Sequence, residues 1–129
     1  MATLGNLMSL PGAVAAFEFR ASGELLGYEI RPDTPLNSEE LELLSFMCAA
    51  NMSLCSMQSR GWEKITGMGG FSPVREFTLI GFDWSVVVSC AQREAQRAAG
   101  QEALAPYQGV VLANTGAAYE ASFAALERG

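Results

Sequence analysis

The stretch that decides the fold is SEELELLSFMCAANMSLCSMQSRG, residues 38–61, which predicts one helix with two apolar stripes. At about 100° per residue, the first stripe contains Leu41, Leu44, Cys48, Met52 and Cys55. The second stripe, on the far side, contains Leu43, Phe46, Met47, Ala50, Leu54 and Met57. Small or polar residues form a separate outer surface of Glu42, Ser45, Ala49, Ser53, Ser56 and Arg60. A helix that is apolar nearly all round is normally buried all round, so both stripes require cover.

Only one of the two stripes has a place on the chain's own sheet, and the pattern does not decide which. Left in water, each large side chain of the other stripe forgoes roughly 1.5 to 3 kcal/mol of burial. That is a large sum beside a total stability of about 5 to 15 kcal/mol. A second copy of the chain is the simplest cover, and the chain's own loops or terminal segments are the alternative. We therefore predict a dimer interface that includes Leu43, Phe46, Met47, Ala50, Leu54 and Met57.

Length and composition indicate one globular domain over residues 1–129. Half of the residues are hydrophobic and only 17% are charged, which excludes disorder and suits an oligomer. The formal net charge is −6 with 8 Lys plus Arg and no basic cluster. Neither nucleic acid nor an anionic membrane is therefore expected as a partner.

The N-terminal residues contain an apolar run of the kind found in signal peptides. No basic residue precedes this run, and Pro11, Gly12 and Glu18 interrupt it, so we predict a cytoplasmic protein. No apolar run approaches the roughly 20 residues that span a bilayer. The three cysteines form no CxxC pattern, which fits buried, reduced thiols better than a disulfide framework.

The first third of the chain shows three element signals: a short helix over residues 4–8 capped by Thr3, a strand over 13–20 and a strand over 24–30. Ala21-Ser22-Gly23 joins the two strands as a tight hairpin. Both faces of the first strand are mostly apolar, with Phe17 and Phe19 on one face and Val14 and Ala16 on the other. We therefore expect helices on both sides of the sheet.

Asn37 and Glu40 predict a capping box for the long helix, which we expect to fade at Gly61 before a glycine-rich loop. The later signals are strands over 74–80 and 84–90, a mobile insertion over about 91–108 with one or two helical turns, a strand over 109–113 and a helix over 117–128. Polar residues in the first of these strands suit a sheet edge. Thr115 is the expected cap of the last helix, and Tyr119, Phe123 and Leu126 are expected on its inner side.

Three motifs give the chain a family resemblance: GAVAAFEFRASGELLGY at 12–28, the long central helix, and TGMGGFSPVREFTLIGFDWSVVV at 66–88. With this element order the chain resembles the roadblock/dynein-light-chain superfamily over most of its length. It is most similar to a poorly characterised prokaryotic branch with a Leu-Pro-Gly start, a Cys-Ala-Ala stretch and a Gly-Met to Pro loop. The matching residues here are Leu10 to Gly12, Cys48 to Ala50 and Gly67 to Pro73.

The resemblance implies an α/β (α+β) fold of roadblock/profilin-like type. A five-stranded antiparallel sheet carries the long helix on one face and the N- and C-terminal helices on the other. It also implies a homodimer in which the third strands pair edge to edge and the long helices meet, which adds Arg75, Glu76 and Thr78 to the predicted interface. Across a two-fold axis, Arg75 of one copy is expected to meet Glu76 of the other. The family joins its fourth and fifth strands by a tight turn, so residues 91–108 depart from it.

No pattern in the chain indicates catalysis, a metal or a cofactor. There is no histidine, which removes the usual neutral-pH base and the common zinc ligand. Cys48, Cys55 and Cys90 are interpreted mainly as buried thiols, and the acidic residues at 39, 40 and 42 as a solvated helix cap. The glycines at 67–70 lack the Lys-Ser/Thr of a phosphate loop. Trp62 and Phe71 are interpreted as loop anchors, with a ligand pocket as the alternative.

The sequence therefore predicts a cytoplasmic, non-enzymatic homodimer that acts as an adaptor or regulator of another protein. Because roadblock-type proteins commonly act on Ras-like GTPases, the resemblance implies a small GTPase or an enzyme complex as the partner. The alternative is a small-molecule or sulfur-carrier binding accessory protein, since the prokaryotic branch is associated with sulfur-oxidising organisms.

Overall fold

The computed structural model describes residues 3–102, 104–114 and 124–127, and up to the fifth strand its elements follow the predicted order, with a helix added between the fourth and fifth strands. They are α1 (Leu4–Met8), β1 (Ala13–Phe19), β2 (Leu25–Ile30), α2 (Ser38–Thr66), β3 (Glu76–Ile80), β4 (Trp84–Ser89), α3 (Ala91–Ala98) and β5 (Tyr107–Ala113). Residues 124–127 form a C-terminal helical turn. No helix in these ranges is both long and apolar enough to cross a membrane.

Within the described residues, one five-stranded antiparallel sheet has the order β2-β1-β5-β4-β3. The inner strands β1, β4 and β5 are buried along most of their length. β2 and β3 lie at the two edges, which confirms the edge position predicted from the polar residues of β3. The hairpins β1-β2 and β3-β4 therefore lie on the two sides of β5, the last strand in sequence.

Two apolar layers cover the two faces of the sheet, as predicted. On one face Phe17 and Phe19 of β1 pack with Leu41, Cys48 and Met52 of α2. On the other face Leu7 of α1 and Leu126 of the C-terminal turn pack with residues of β1, β4 and β5. The α+β architecture with a long helix on one face and small terminal helices on the other is confirmed.

Val14 lies on the opposite face from the one expected by strand alternation. It packs with Phe17 in the core under α2, whereas Ala16 packs on the face of α1. The pairing of β1 with β5 shifts register between Ala13 and Ala15, which marks a bulge at this position. Because a bulge adds one residue to one strand, it turns the following side chain to the other face.

Helix α2 is longer than predicted and runs through Gly61 to Thr66. Its start is the predicted capping box, with the Glu40 N–H donating to Asn37 Oδ1 at 2.9 Å and the Asn37 N–H donating to Glu40 Oε1 at 3.2 Å. An interior glycine costs a helix only about 1 kcal/mol, which the surrounding helical residues outweigh. The helix ends instead at Gly67, whose φ of 73° allows the left-handed cap.

The connection between β4 and β5 contains a helix of about two turns, in agreement with the one or two turns predicted within the insertion over about 91–108. Residues Ala91–Ala98 form helix α3, and β5 starts at Tyr107, two residues earlier than expected. Arg93 donates from Nη1 to the Ala105 carbonyl at 3.1 Å and lies 5.2 Å over the Tyr107 ring. Gln96 Oε1 accepts from two backbone N–H groups, those of residues 104 and 105.

The predicted C-terminal helix falls largely outside the described residues. Its cap Thr115 and its inner residues Tyr119 and Phe123 are among the residues not described. Leu126, the third predicted inner residue, is buried in the core with Leu7 of α1.

Candidate interaction surface

The first apolar stripe of α2 faces the sheet, which decides the question that the sequence left open. The buried residues of the helix are Leu41, Ser45, Cys48, Ala49 and Met52. The sequence pattern predicts Ser45 and Ala49 on the outer surface, and that prediction is wrong. Their small side chains let the helix backbone approach the sheet closely, and the Ser45 hydroxyl is satisfied because it donates to the Leu41 carbonyl at 2.9 Å.

The second stripe of α2 points away from the sheet and is exposed. Its large side chains, Leu43, Phe46, Met47, Leu54 and Met57, have between 45% and 69% of their surface accessible, and Ala50 is also exposed. Exposed singly, such residues are ordinary, but a row of five along one helix forms a contiguous apolar surface. We call these six residues the outer stripe.

The outer stripe has two flanks that face different edges of the sheet. Phe46 packs against the β1-β2 turn, because a Cβ atom built on Gly23 would lie 3.0 Å from the Phe46 Cα. Met47 lies on the other flank, where it lines a cavity together with Leu79 of β3 and Trp84 of β4. At 100° per residue, Leu43 and Leu54 lie within about 40° of Met47. Met47 therefore faces the β3 edge, and Leu54 and Leu43 follow it around the helix as one flank.

The β3 edge lies beside that flank. Among the described residues only β4 pairs with β3, so the outer backbone groups of Glu76–Ile80 are available to another strand. Leu79 and Ile80 are exposed, and Glu76 and Thr78 are half-buried. A free edge with exposed apolar side chains is the usual template for pairing with a second chain.

The three predicted edge residues differ in their surroundings. Arg75 precedes β3 and its Nη2 forms an ion pair with Glu127 Oε1 at 3.0 Å, so it already has a partner within its own chain. In the described part of the chain, Glu76 Oε1 and Thr78 Oγ1 are buried without a hydrogen-bond partner. Burial, the hydrogen bond with Glu127 and the negative charge of Glu127 raise the pKa of Glu76 to about 7, and Arg75 opposes this shift.

A cavity of about 400 Å³ lies between α2 and the sheet on the β3 side. Its floor is formed by buried residues of the inner strands, Val14, Ser85, Val86 and Val111. Its walls and rim are formed by Leu36, Leu44, Met47, Leu79 and Trp84, with Thr34, Pro35, Glu40 and Gly81 completing the lining. We call this space the α2 cavity. The sequence carried no signal for it, because its lining comes from five separate segments.

Trp62 and Phe71 form a contact with each other at the end of α2. Their rings meet edge to face with centroids 6.4 Å apart, across the loop that starts at Gly67. Neither residue lines the α2 cavity or the groove between residues 70–75 and α3. This geometry fits the interpretation as loop anchors and does not support the alternative of a ligand pocket at this position.

The cysteines are placed for packing. Burial raises the pKa of the Cys48 thiol to about 12. Burial also raises the pKa of Cys90 to about 11, helped by nearby Glu94 and Glu76, and its Sγ donates to the Val74 carbonyl at 3.0 Å. Both thiols are therefore protonated at neutral pH and are poor nucleophiles. Cys55 is half-buried. In the described ranges, no three His, Cys, Asp or Glu side chains are grouped to hold a metal ion.

Comparison with known proteins supports the predicted fold. A family model of an uncharacterised conserved protein, DUF2173, matches residues 3–104. The chain is similar to the gliding protein MglB of Thermus thermophilus, with 17% identity, 97% of this chain and 83% of that chain covered, and a TM-score of 0.67. A solved structure of MglB with a tetrameric arrangement is likewise 17% identical, with 97% of this chain and 82% of that chain covered and a TM-score of 0.67.

A Roadblock/LC7 domain from Streptomyces avermitilis is also similar, with 11% identity, 96% of this chain and 84% of that chain covered, and a TM-score of 0.69. No curated protein sequence matches the chain. At such low identities the likeness concerns the fold alone, and it confirms the roadblock-type fold inferred from the sequence motifs.

Proposed function

This chain belongs to the DUF2173 family of uncharacterised conserved proteins, and from that membership and its roadblock-type fold we propose that it is a homodimeric, non-catalytic adaptor that regulates another protein. The single observation that carries the proposal is the exposed outer stripe of α2 beside the free edge of β3. The outer stripe and the β3 edge adjoin each other, and both are suited to contact with another protein. Neither presents a group suited to catalysis.

The dimer uses the flank of α2 that faces β3. Pairing of two β3 edges about a two-fold axis extends the sheet and brings the flanks with Leu43, Met47 and Leu54 toward each other. The solved structure of MglB in a tetrameric arrangement supports association as a property of this fold. Arg75 is already paired with Glu127, so a contact between Arg75 and Glu76 of the second copy is a subsidiary part of the proposal.

The other flank of the outer stripe remains for the regulated protein. Ala50 and Met57 lie within about 40° of Phe46 around the helix axis, on the side away from β3. A dimer joined at β3 leaves this flank exposed on both copies. We assign it to the partner, and the resemblance to roadblock-type proteins makes a small Ras-like GTPase in the cytoplasm the partner of choice.

Sedimentation velocity tests the dimer. Met47→Glu places a charge on the β3 flank and removes roughly 1.5 to 3 kcal/mol of apolar burial per copy. Since the residue occurs twice in a two-fold dimer, the dissociation constant is expected to rise at least about a hundredfold. Leu104→Glu is the control, because Leu104 is an even more exposed apolar residue but lies in the connection after α3. A Met47→Glu protein that sediments as the wild-type dimer contradicts the proposed interface.

Affinity capture from the native cell tests the adaptor role. Met57→Glu is expected to keep the dimer and to lose the partner, whereas the wild type and Leu104→Glu retain it. The captured protein is identified by mass spectrometry and by its bound guanine nucleotide. Equal capture by Met57→Glu, or capture of proteins that bind no guanine nucleotide, contradicts the assignment of this flank to a GTPase.

A further inference from the structure

We propose that the α2 cavity binds a single hydrocarbon chain from an amphiphile whose head group carries no negative charge. Met47 and Leu79 belong both to the lining of this cavity and to the proposed dimer surface, so the site adjoins that surface, but the proposal does not rest on the dimer. Three features of the cavity carry the inference: its depth, its lining and the charge at its rim.

The depth of the cavity distinguishes a small molecule from a second copy of the chain. Its lining includes Leu79 of β3, Val86 of β4, Val111 of β5 and Val14 of β1, which are four successive strands of the sheet. With neighbouring strands about 4.8 Å apart, the cavity extends about 14 Å inward from the β3 edge. A leucine or methionine side chain of a chain docked on that edge is too short to reach Val14. An extended alkyl chain of about ten carbons matches that length.

The lining is mainly apolar. Val14, Val86 and Val111 of the floor are almost fully buried in the sheet, and Leu36 and Leu44 cover them from above. A volume of about 400 Å³ lies within the range of small-molecule sites, roughly 300 to 1,000 Å³. The hydroxyl of Ser85, one of the few polar groups, already donates to Asn114 Oδ1. The walls therefore favour hydrocarbon over a ligand with several polar groups.

The rim of the cavity selects against anions. Among the described lining residues Glu40 alone is ionisable, and it is exposed at the start of α2. A fatty-acid carboxylate would lie near the Glu40 carboxylate, and like charges repel at short range. A hydroxyl or ammonium head group avoids that repulsion, and an ammonium group gains attraction.

Fluorescence of Trp84 tests the proposal on the full chain. Trp62→Phe leaves Trp84, which lines the cavity, as the single tryptophan. The probes are decanol, decyltrimethylammonium and decanoate, each kept below the concentration at which it forms micelles. We expect a saturable change in Trp84 emission with the first two, and at least fivefold weaker binding of decanoate. Octanol, two methylenes shorter, is expected to bind about tenfold more weakly than decanol.

Two variants locate the binding site. Glu40→Gln removes the charge but keeps the capping box, because glutamine also serves at this position, and it is expected to remove the discrimination against decanoate. Leu44→Phe narrows the cavity and is expected to weaken decanol binding at least tenfold, whereas Leu104→Phe, at an exposed position after α3, leaves it unchanged. Circular dichroism checks that each variant is folded.

Several results would overturn the proposal. These are a linear, unsaturated response to decanol, equal affinity in folded Leu44→Phe, and decanoate binding as tight as decanol binding. Binding confined to protein concentrations at which sedimentation shows a monomer also overturns it, since a second copy would then close the cavity. The first three of these results do not bear on the dimer, which the Met47→Glu experiment tests.

Discussion

The two apolar stripes of α2 differ in side-chain size more than in hydrophobic character. The sheet-facing side combines Leu41 and Met52 with the small residues Ser45, Cys48 and Ala49. The outer stripe is bulkier, with one small residue, Ala50, among leucine, phenylalanine and methionine. Small residues let a helix lie close to a sheet, whereas bulky ones suit a surface that receives another molecule. Hydrophobicity shows that a helix face is buried in a contact. Side-chain size indicates whether that contact is with the chain's own sheet or with another molecule.

The largest expected difference is between matched leucines of the two stripes. Leu41→Ala removes a fully buried side chain and is expected to lower the free energy of unfolding by about 2 to 5 kcal/mol. Leu43→Ala, at an exposed position two residues later, is expected to change it by less than about 0.5 kcal/mol in the monomer. Urea unfolding followed by circular dichroism at low protein concentration measures both.

The same pair of variants separates dimer cover from cover within the chain. If a second copy covers the outer stripe, the effect of Leu43→Ala grows as protein concentration rises, because unfolding then includes dissociation. If Leu43→Ala costs as much as Leu41→Ala at every concentration, the chain's own segments cover the outer stripe and the dimer proposal fails.

A second comparison concerns the two glycines at Gly23 and Gly100. Both have positive φ, 98° and 75°, but a Cβ atom on Gly23 meets Phe46, whereas one on Gly100 has no described atom within 4 Å. Gly100→Ala is expected to show backbone strain alone, about 1 to 3 kcal/mol. Gly23→Ala is expected to cost a further 1 to 3 kcal/mol or so through overpacking.

The double variant Gly23→Ala, Phe46→Ala tests the cause of that excess. Removing the Phe46 ring is expected to relieve the part of the Gly23→Ala penalty that comes from the ring, measured as a coupling energy in urea unfolding. A coupling energy of zero would mean that Phe46 does not pack on the β1-β2 turn, and the two flanks of the outer stripe would lose their distinction.

The sequence predicted the elements better than their faces. Local signals, such as the Asn37-Glu40 capping box and the Gly23 turn, correctly predicted the start of α2 and the β1-β2 hairpin, because capping and turn chemistry act within a few residues. The end of α2 was missed because Gly61 is tolerated in a helix that the capping glycine Gly67 ends. Val14 was placed on the wrong face because a bulge depends on the partner strand, which local periodicity does not contain.

Surface assignments required contacts between distant segments. The sequence predicted that the outer stripe is covered by another surface. It did not show that Phe46 and Met47, which are adjacent in sequence, lie on different flanks of that stripe. That division comes from the β1-β2 turn on one side and the β3-β4 hairpin on the other. The α2 cavity depends in the same way on residues from 14 to 111 that only the fold brings together.

The smallest expected effect is on the pH dependence of the free energy of unfolding. It compares Glu76 at the β3 edge with an exposed glutamate elsewhere on the surface. The pKa of Glu76 is about 7 in the folded chain, raised from 4.5 chiefly by burial and by Glu127. Between these two values the folded state binds a proton that the unfolded state has released, so stability falls as pH rises from about 4.5 to 7. Glu76→Gln is expected to be more stable than the wild type at pH 8 and about equally stable near pH 4.

Urea midpoints measured from pH 4 to pH 8 show this difference. Glu24→Gln is the control, because Glu24 is exposed in an ion pair with Arg20 on the other side of the sheet. If the Glu76→Gln difference does not grow between pH 5 and 7, the carboxylate is not confined beside Glu127. Glu76 would then be solvated at the β3 edge, and a charged carboxylate on each copy would oppose the edge pairing that the dimer requires. If Glu76→Gln instead raises the free energy of unfolding more at pH 8 than at pH 4, the Glu76 side chain lies beside Glu127 of its own chain. The backbone of β3 is then the part of the edge that is open to a second copy.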